Sequence, residues 1–307
     1  MDPFSLAEPA QNLMVIDSSR CTLQFFFSRE EALAPEDGGG AVAITIEDRF
    51  FALTAKHILE LFWKYPHVGG GFGLSKYSRD ARQQEPLNAL RRSDVVAVAP
   101  RVDAALFELH PADEAAAQRL KARALPIDRL LLPTPSAPHG LTVPAMLCGF
   151  PRSLASPDLA LLNSFTQFHY MGVVANDRVR SDFEQSIERI DLHLLLETDE
   201  QNWSDGDTGN FPLPALRGCS GAGYFVAAVR KGSLEYYTGL AGIHTQSLSG
   251  LDVRQRVQTV LAGPSAHVFA SMLWTAAEDL RGKMKEIWPT FEPVDTEIEP
   301  FGGDDDE

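Results

Sequence analysis

The strongest constraint on the fold is a series of short, strand-like apolar segments that occurs in both halves of the chain. These segments are rich in β-branched and aromatic residues, which favour β-strands, and turn residues separate them. Residues 41–46 and 49–55 are joined only by Glu47 and Asp48, so together they predict a β-hairpin. Each half contains about six such segments, which indicates a small barrel or sandwich in each half.

Residues 126–144 separate the two halves and contain five prolines. Because proline has no amide hydrogen to donate to a neighbouring strand, this stretch predicts a connector. We therefore divide the chain into a first β-unit over 1–125, the connector, a second β-unit over 145–290, and an acidic tail over 291–307.

Two segments predict helices within this β-rich pattern. The composition of residues 112–124 favours a helix. Residues 265–288 carry an apolar stripe with i, i+4 spacing, begin at the N-cap candidate Ser265 and end before Pro289. We expect this C-terminal helix to pack against the second β-unit.

The charge of the chain restricts its partners. A formal net charge of −15 disfavours nucleic acid and anionic membranes, because phosphate surfaces are bound by an excess of Lys and Arg. Eight acidic residues and no basic ones lie in 292–307. Such a segment buries too little apolar surface to offset the entropy of ordering, so we predict a disordered, solubilising tail. The alternative is a docking segment for a regulatory protein, built on Ile298 and Phe301.

The cysteines and the N-terminus indicate a cytoplasmic protein. No apolar run approaches the roughly 20 residues that a membrane span needs, and the N-terminal residues lack the pattern of a secretion signal. Cys21, Cys148 and Cys219 are odd in number and far apart, and they lack the spacing of a zinc site. We therefore predict reduced thiols, and neither a metal nor a cofactor.

Residues 218–221 read Gly-Cys-Ser-Gly and place a thiol and a hydroxyl between two glycines. On its own, this pattern is most often a tight turn. The nucleophile elbow of α/β-hydrolases would need glycine where Ala222 stands, followed by an Asp and then a His. Asp252 and His267 follow in that order, but in a region without alternating strands and helices, so we reject this interpretation.

The opposite order, His then Asp then Ser, is also present. His57 follows a predicted strand, Asp103 precedes another strand 46 residues later, and Ser220 lies 117 residues beyond Asp103. Asp94 also precedes an apolar run and is the rival for the acidic position. In such a set the imidazole takes the serine proton, while the carboxylate fixes the tautomer of the imidazole and stabilises the imidazolium.

Five short motifs occur in one order along residues 20–280. They are T-A-K-H at 54–57, D-A-A-L at 103–106, C-G-F-P at 148–151, G-C-S-G at 218–221 and G-I-H at 242–244. In this combination the chain resembles the chymotrypsin-like (trypsin-like) serine peptidases of bacteria, although each motif alone is weak. The resemblance implies an all-β fold of two six-stranded antiparallel β-barrels, with the active site in the cleft between them.

The resemblance also implies the roles of the site residues. Ser220 would be the nucleophile, His57 the general base and Asp103 the residue that orients the imidazole. The backbone N–H groups of Gly218 and Ser220 would form the oxyanion hole. Cys219 stands where secreted trypsins carry an Asp that pairs with a newly cut N-terminus, so we expect no activation by that route.

The substrate pocket is expected from the same resemblance. A trypsin-type pocket would carry a carboxylate where Pro214 stands, so no preference for basic residues is expected. His244, Thr245 and Ser247 are predicted to line the pocket. Two preferences remain open: an acidic side chain bound by a protonated His244 with the two hydroxyls, or a small or apolar side chain with His244 packed beneath it.

The sequence thus predicts an intracellular serine endopeptidase that acts on protein or peptide substrates through a Ser-His-Asp triad and an acyl-enzyme. The alternative is a protease-like binding module that has lost catalysis. Lys56, Cys219, Ala222 and the long segment 152–217 depart from the family pattern and favour that alternative. A hydrolase of small esters on the same fold would use the same triad and differ in its pocket.

Overall fold

The computed structural model describes residues 8–29, 37–65, 67–72, 86–87, 94–132, 143–151, 167–198, 216–229, 235–251 and 257–300. The strands are β1 Thr22–Ser28, β2 Asp37–Ile46, β3 Arg49–Ala55, β4 His67–Phe72, β5 Pro86–Leu87, β6 Val95–Ala99, β7 Ala104–Leu109, β8 Leu125–Pro126, β9 Pro144–Gly149, β10 Phe168–Val174, β11 His193–Glu197, β12 Gly223–Val229, β13 Tyr236–Ile243, β14 Gln246–Leu251, β15 Val257–Pro264 and β16 Glu299–Pro300. The helices are α1 Glu8–Cys21, α2 Leu59–Lys64, α3 Glu114–Arg123, α4 Asp177–Asp182, α5 Ala266–Ala276 and α6 Arg281–Ile287.

The strands form two sheets, one from each half of the chain, except that the C-terminal β16 joins the first sheet. The first sheet has nine strands in the order β16-β6-β7-β3-β2-β1-β4-β5, with β8 parallel to β2 beside this path. The second has seven strands in the order β13-β12-β9-β10-β11-β15-β14. This architecture is mostly antiparallel β-sheet with a few helices, in agreement with the predicted all-β class.

The prediction of two six-stranded barrels is wrong in its strand counts. In the described part of the chain, no pairing joins the two edge strands of either sheet, so closed barrels are not found there. The additional strands have weak sequence signals: β4 contains three glycines, β14 is largely polar, and β5, β8 and β16 have two residues each. The predicted hairpin over 41–55 is confirmed as β2 and β3, which pair in antiparallel register.

One apolar core joins the two sheets. It contains Ile44 and Leu106 from the first sheet, Phe225 and Leu240 from the second, and Phe269 of α5, all fully buried. Helix α5 lies against strands of both sheets, and not against the second β-unit alone as we expected. Burial of one face of each sheet against the other therefore fixes how the two halves meet.

The predicted helix over 265–288 is broken in two. The chain leaves helical geometry at Ala277, with φ −118° and ψ 78°, before α6 begins. Arg281 donates to the carbonyls of Trp274 (2.6 Å) and Thr275 (3.3 Å), which compensates carbonyls at the end of α5. Ser265 is the N-cap residue, but its hydroxyl makes no capping bond.

Helix α1 was not predicted, because it lacks a clear apolar stripe, yet it packs on β12 and β13 of the second sheet. No helix in the described ranges is long and apolar enough to span a membrane.

The predicted disordered tail is wrong for residues 291–300. Phe291 packs against Trp274 and Trp288, with ring centroids 5.6 and 5.8 Å away, and β16 pairs with β6. Ile298, on which the docking alternative partly rests, packs against the protein's own core. The acidic residues did not prevent ordering, because apolar residues between them supply buried surface. Residues 301–307, including Phe301, lie outside the described part.

Candidate active site

Strand pairing brings His57 and Asp103 together. In the antiparallel pairing of β3 with β7, Ala55 lies opposite Ala104, and the amide of Lys56 donates to the carbonyl of Asp103 (3.1 Å). Asp103 closes the β6–β7 turn in the left-handed conformation, at φ 56° and ψ 47°. Aspartate adopts this conformation more readily than most residues, since its short side chain bonds locally.

The Asp103 carboxylate holds His57 at two points. Its Oδ2 lies 2.7 Å from His57 Nδ1, and its Oδ1 accepts the backbone N–H of His57 at 2.9 Å. These contacts orient the ring with Nδ1–H toward the carboxylate and leave Nε2 without a hydrogen bond among the described residues. The hydrogen bond to Asp103 raises the pKa of His57, with a smaller contribution from the charges of Asp103 and Glu60. The side chains of His57 and Asp103 are 40% and 33% exposed, so the pair is open to solvent.

The Gly-Cys-Ser-Gly segment forms a tight loop in which some backbone amides donate hydrogen bonds and others do not. The amide of Cys219 donates to the carbonyl of Leu216, and the amide of Ala222 donates to the carbonyl of Cys219, each at 2.8 Å. The amides of Gly218 and Ser220 donate no hydrogen bond within the described ranges. Among the described residues, these two N–H groups are therefore free to donate to an anionic oxygen.

The loop that contains Ser220 docks on strands β2 and β3 of the first sheet. The amide of Gly40 donates to the carbonyl of Ser220 at 2.6 Å, and Thr54 Oγ1 donates to the carbonyl of Gly40 at 2.7 Å. Gly221 has φ 86°, and an added Cβ there would lie 1.8 Å from the carbonyl oxygen of Gly40. Thr54 lies three residues before His57, so these contacts bring the loop that contains Ser220 to the strand that leads to His57.

No hydrogen bond joins Ser220 Oγ to His57 Nε2 in the part of the chain that is described. Such contacts are often long in a free enzyme and shorten when substrate binds. Gly40 was not among the residues predicted for this site. The only available signal was the run of glycines in β2, whereas Thr54 already belongs to the T-A-K-H motif.

Cys219 is chemically inert in this fold. Its side chain is fully buried, and burial raises the pKa of the thiol far above its ordinary value. Its sulfur also forms a hydrogen bond with the backbone of Phe150, which lowers that pKa by less than burial raises it. Ala222 is also accommodated: a Cβ on Gly149 would lie 2.7 Å from the Ala222 methyl, so glycine at 149 leaves room for it. Two of the departures from the family pattern are therefore compatible with an intact loop.

His244 is buried and uncharged at neutral pH. It is 3% exposed, and burial, together with the nearby charge of His57, lowers its pKa to about 3. Tyr224 OH lies 2.7 Å from His244 Nδ1. Tyr224 is fully buried with no other hydrogen bond among the described residues, so the geometry favours donation by its hydroxyl to Nδ1.

The other predicted pocket residues are placed differently. Thr245 Oγ1 donates to the carbonyl of Ala262 (3.4 Å), and Ser247 is exposed on β14. A neutral His244 and a Thr245 hydroxyl bonded to the Ala262 carbonyl do not favour the acidic alternative, and the preference of the pocket stays a prediction. Pro214 lies outside the described residues.

Among the described residues, no group of three or more His, Cys, Asp or Glu side chains is placed to hold a metal ion. The three cysteines are free and buried.

Comparisons with known proteins give no family. No family model matches the sequence, and no curated protein matches it. Among the solved structures that match, one described as "Structure of GrC" aligns over 88% of this chain and 96% of its own length, with 16% identity and a TM-score of 0.44. A similarity this low carries no inference about activity, so function must follow from the geometry of the site.

Proposed function

We propose that the protein is a serine endopeptidase whose triad is Ser220, His57 and Asp103. The two hydrogen bonds between His57 and the Asp103 carboxylate carry this proposal. They fix the imidazole in the tautomer that leaves Nε2 as a base, on a solvent-accessible ring that follows β3, and the loop that contains Ser220 docks on β2 beside that strand. A histidine that merely completed a core would be buried, with both ring nitrogens satisfied.

The proposed reaction follows from these positions. His57 Nε2 takes the proton of Ser220 Oγ as that oxygen attacks the substrate carbonyl, while Asp103 stabilises the imidazolium. The resulting oxyanion accepts hydrogen bonds from the free amides of Gly218 and Ser220. His57 then gives its proton to the leaving amine, and water releases the acyl group from Ser220 by the same steps.

A fluorophosphonate probe tests the nucleophile directly. We expect the probe to label Ser220 in the wild-type chain, because His57 activates its hydroxyl, and to label Cys219→Ser but not Ser220→Ala. Intact-mass and peptide mass spectrometry would identify the modified residue. Labelling that is lost in Cys219→Ser and retained in Ser220→Ala would reverse the assignment.

Absence of labelling in the folded wild-type chain would favour the second candidate, a binding module that has lost catalysis. Hydrolysis of esters but not of peptides would indicate the small-ester hydrolase, which shares the triad.

We propose that the pocket prefers an uncharged side chain before the scissile bond. A neutral His244 and an engaged Thr245 hydroxyl do not compensate a buried carboxylate, and an uncompensated buried charge is costly.

In peptides that differ only at this position, we expect kcat/KM for Leu, Ala and Gln to exceed that for Glu by at least about tenfold at pH 7. Steady-state hydrolysis of the matched series measures this ranking. A preference for Glu over Gln and Leu that weakens as pH rises from 5 to 8 would instead indicate a protonated imidazole in the pocket.

We further propose that the protein acts on protein or peptide substrates inside bacterial cells. Its three thiols are unpaired, as is usual in a reducing compartment. The proposed partners are the substrate and, through the acidic residues near the C-terminus, a regulatory protein. Nucleic acid, membrane, metal and cofactor have no role in the proposed mechanism.

A further inference from the structure

Residues 292–300, which we call the C-terminal strap, run from helix α5 to the first sheet. At the start of the strap, the carbonyl of Glu292 lies 2.9 Å from His267 Nε2, and the amide of Val294 donates to Ser271 Oγ at 2.9 Å. Both partners belong to α5. The strap is thus attached at its beginning to the helix that packs on both sheets.

The strap ends on the strand that leads to Asp103. In β16, Glu299 pairs with Val98 and Pro300 with Ala97, so the strap covers an edge of the first sheet. The covered strand, β6, leads through the 3-10 turn Pro100–Val102 directly to Asp103. Pairing along an edge restrains the strand, because it supplies partners to its otherwise free backbone groups.

An ion pair joins the strap to the turn that carries Asp103. Glu297 Oε2 lies 2.8 Å from Arg101 Nε, and Glu188 approaches the same guanidinium nitrogen at 3.7 Å. Arg101 is two residues before Asp103. The strap therefore contacts both the strand and the turn on the N-terminal side of the catalytic carboxylate.

Backbone conformation shows that the strap has a defined path. Glu297 has φ 50°, and Arg189, which donates to the carbonyl of Asp295 at 2.9 Å, has φ 53°. Non-glycine residues keep left-handed backbone only where their surroundings hold them there. Thr296, which lies between Asp295 and Glu297, is 2% exposed, so the middle of the strap is buried.

We propose that the C-terminal strap positions Asp103, holding its turn where the carboxylate can bind both His57 Nδ1 and the His57 amide. The effect on rate rests on the proposed function, whereas the effect on the His57–Asp103 contact does not. Misplacement of a catalytic group by about 1 Å can cost about 100-fold in rate, so a restraint on this turn has a measurable effect on activity. The strap residues themselves do not touch the reacting atoms and are positioning residues.

The test compares four proteins: the complete chain, a chain ending at Pro300, a chain ending at Phe291, and the complete chain with Glu297→Lys. The readouts are kcat and KM for peptide hydrolysis and the His57 pKa from an NMR titration of its imidazole. Among the described residues, Asp103, Glu60 and His244 are the ionisable groups that interact electrostatically with His57, and under the proposal only the contact with Asp103 depends on the strap.

We expect the chain ending at Phe291 to lose at least about tenfold in kcat with little change in KM, and the His57 pKa to fall toward its ordinary value. Glu297→Lys should lose about threefold in kcat with a smaller fall in the same pKa, because an exposed ion pair is worth little. The chain ending at Pro300 retains every strap contact and should match the complete chain in both readouts.

An unchanged kcat and an unchanged His57 pKa in a folded chain ending at Phe291 would overturn the proposal. If that chain does not fold by circular dichroism, Glu297→Lys decides, and unchanged values in that variant overturn it. If the wild-type chain hydrolyses no peptide, the His57 pKa alone decides, so failure of the strap and failure of the proposed function are distinguishable.

Discussion

Asp103→Asn is expected to lower kcat about 10⁴-fold while the fold remains intact. Asparagine tolerates the left-handed backbone that Asp103 adopts, so the turn can keep its shape. Its amide group cannot accept hydrogen bonds through both terminal atoms, as the carboxylate does from His57 Nδ1 and the His57 amide. The imidazole then loses both its preferred tautomer and the charge that stabilises the imidazolium.

The same substitution should change the pH dependence of the reaction. The base form of His57 is required, so kcat/KM of the wild type should rise with pH through a midpoint above the ordinary imidazole pKa, which Asp103 raises. In Asp103→Asn the largest cause of that shift is removed, and the midpoint of the residual activity should move to lower pH. Steady-state rates across pH 5–9 measure both the loss and the shift.

Asp94→Asn is the matched control, since Asp94 was the rival carboxylate in the sequence. Asp94 makes no hydrogen bond to His57, and its substitution should change kcat by no more than about twofold. If Asp94→Asn and Asp103→Asn were equally harmful, or both harmless, the assigned triad would be wrong.

Gly221→Ala is expected to reduce kcat by about 100-fold and to destabilise the protein. The new Cβ would lie 1.8 Å from the Gly40 carbonyl oxygen and 2.5 Å from Thr54 Oγ1, in a backbone conformation with φ 86°. Backbone atoms cannot yield as a flexible side chain does, so the loop must move away from β2. That movement breaks the Gly40–Ser220 hydrogen bond and displaces both the nucleophile and the oxyanion donors.

Gly282→Ala provides the control for a glycine in open space. A Cβ at Gly282 meets nothing within 4 Å, and alanine in helix α6 should be neutral or stabilising by up to about 1 kcal/mol. Thermal denaturation of both variants, with kcat/KM, separates loop displacement from a general effect of added methyl groups. Full activity and unchanged stability in Gly221→Ala would show that the loop does not dock on β2 as described.

Strong local patterns allowed much of the fold to be predicted. Strands such as β3, β7 and β12 are dense in apolar, β-branched or aromatic residues, and burial is consistent with the hydrophobic pattern that identified them. Glycine-rich β4 and two-residue β16 lack such a pattern. They form because a neighbouring strand supplies hydrogen-bond partners, which a local reading of sequence cannot reveal.

The C-terminal tail is a segment for which the sequence pattern predicted too little structure. Its acidic composition predicts disorder, but Phe291, Val294 and Ile298 find apolar partners in a core assembled from distant segments. Composition measures what a segment contains, whereas ordering depends on the surface that the rest of the chain offers to it.

Residue type and spacing are local properties, so the amino-acid sequence was enough to predict β-rich halves and the order in which His57, Asp103 and Ser220 occur. That Asp103 rather than Asp94 binds His57 follows from the register of β3 with β7, which exists only in the folded chain. Tertiary burial likewise decided that His244 is neutral and Cys219 inert, because desolvation sets both pKa values.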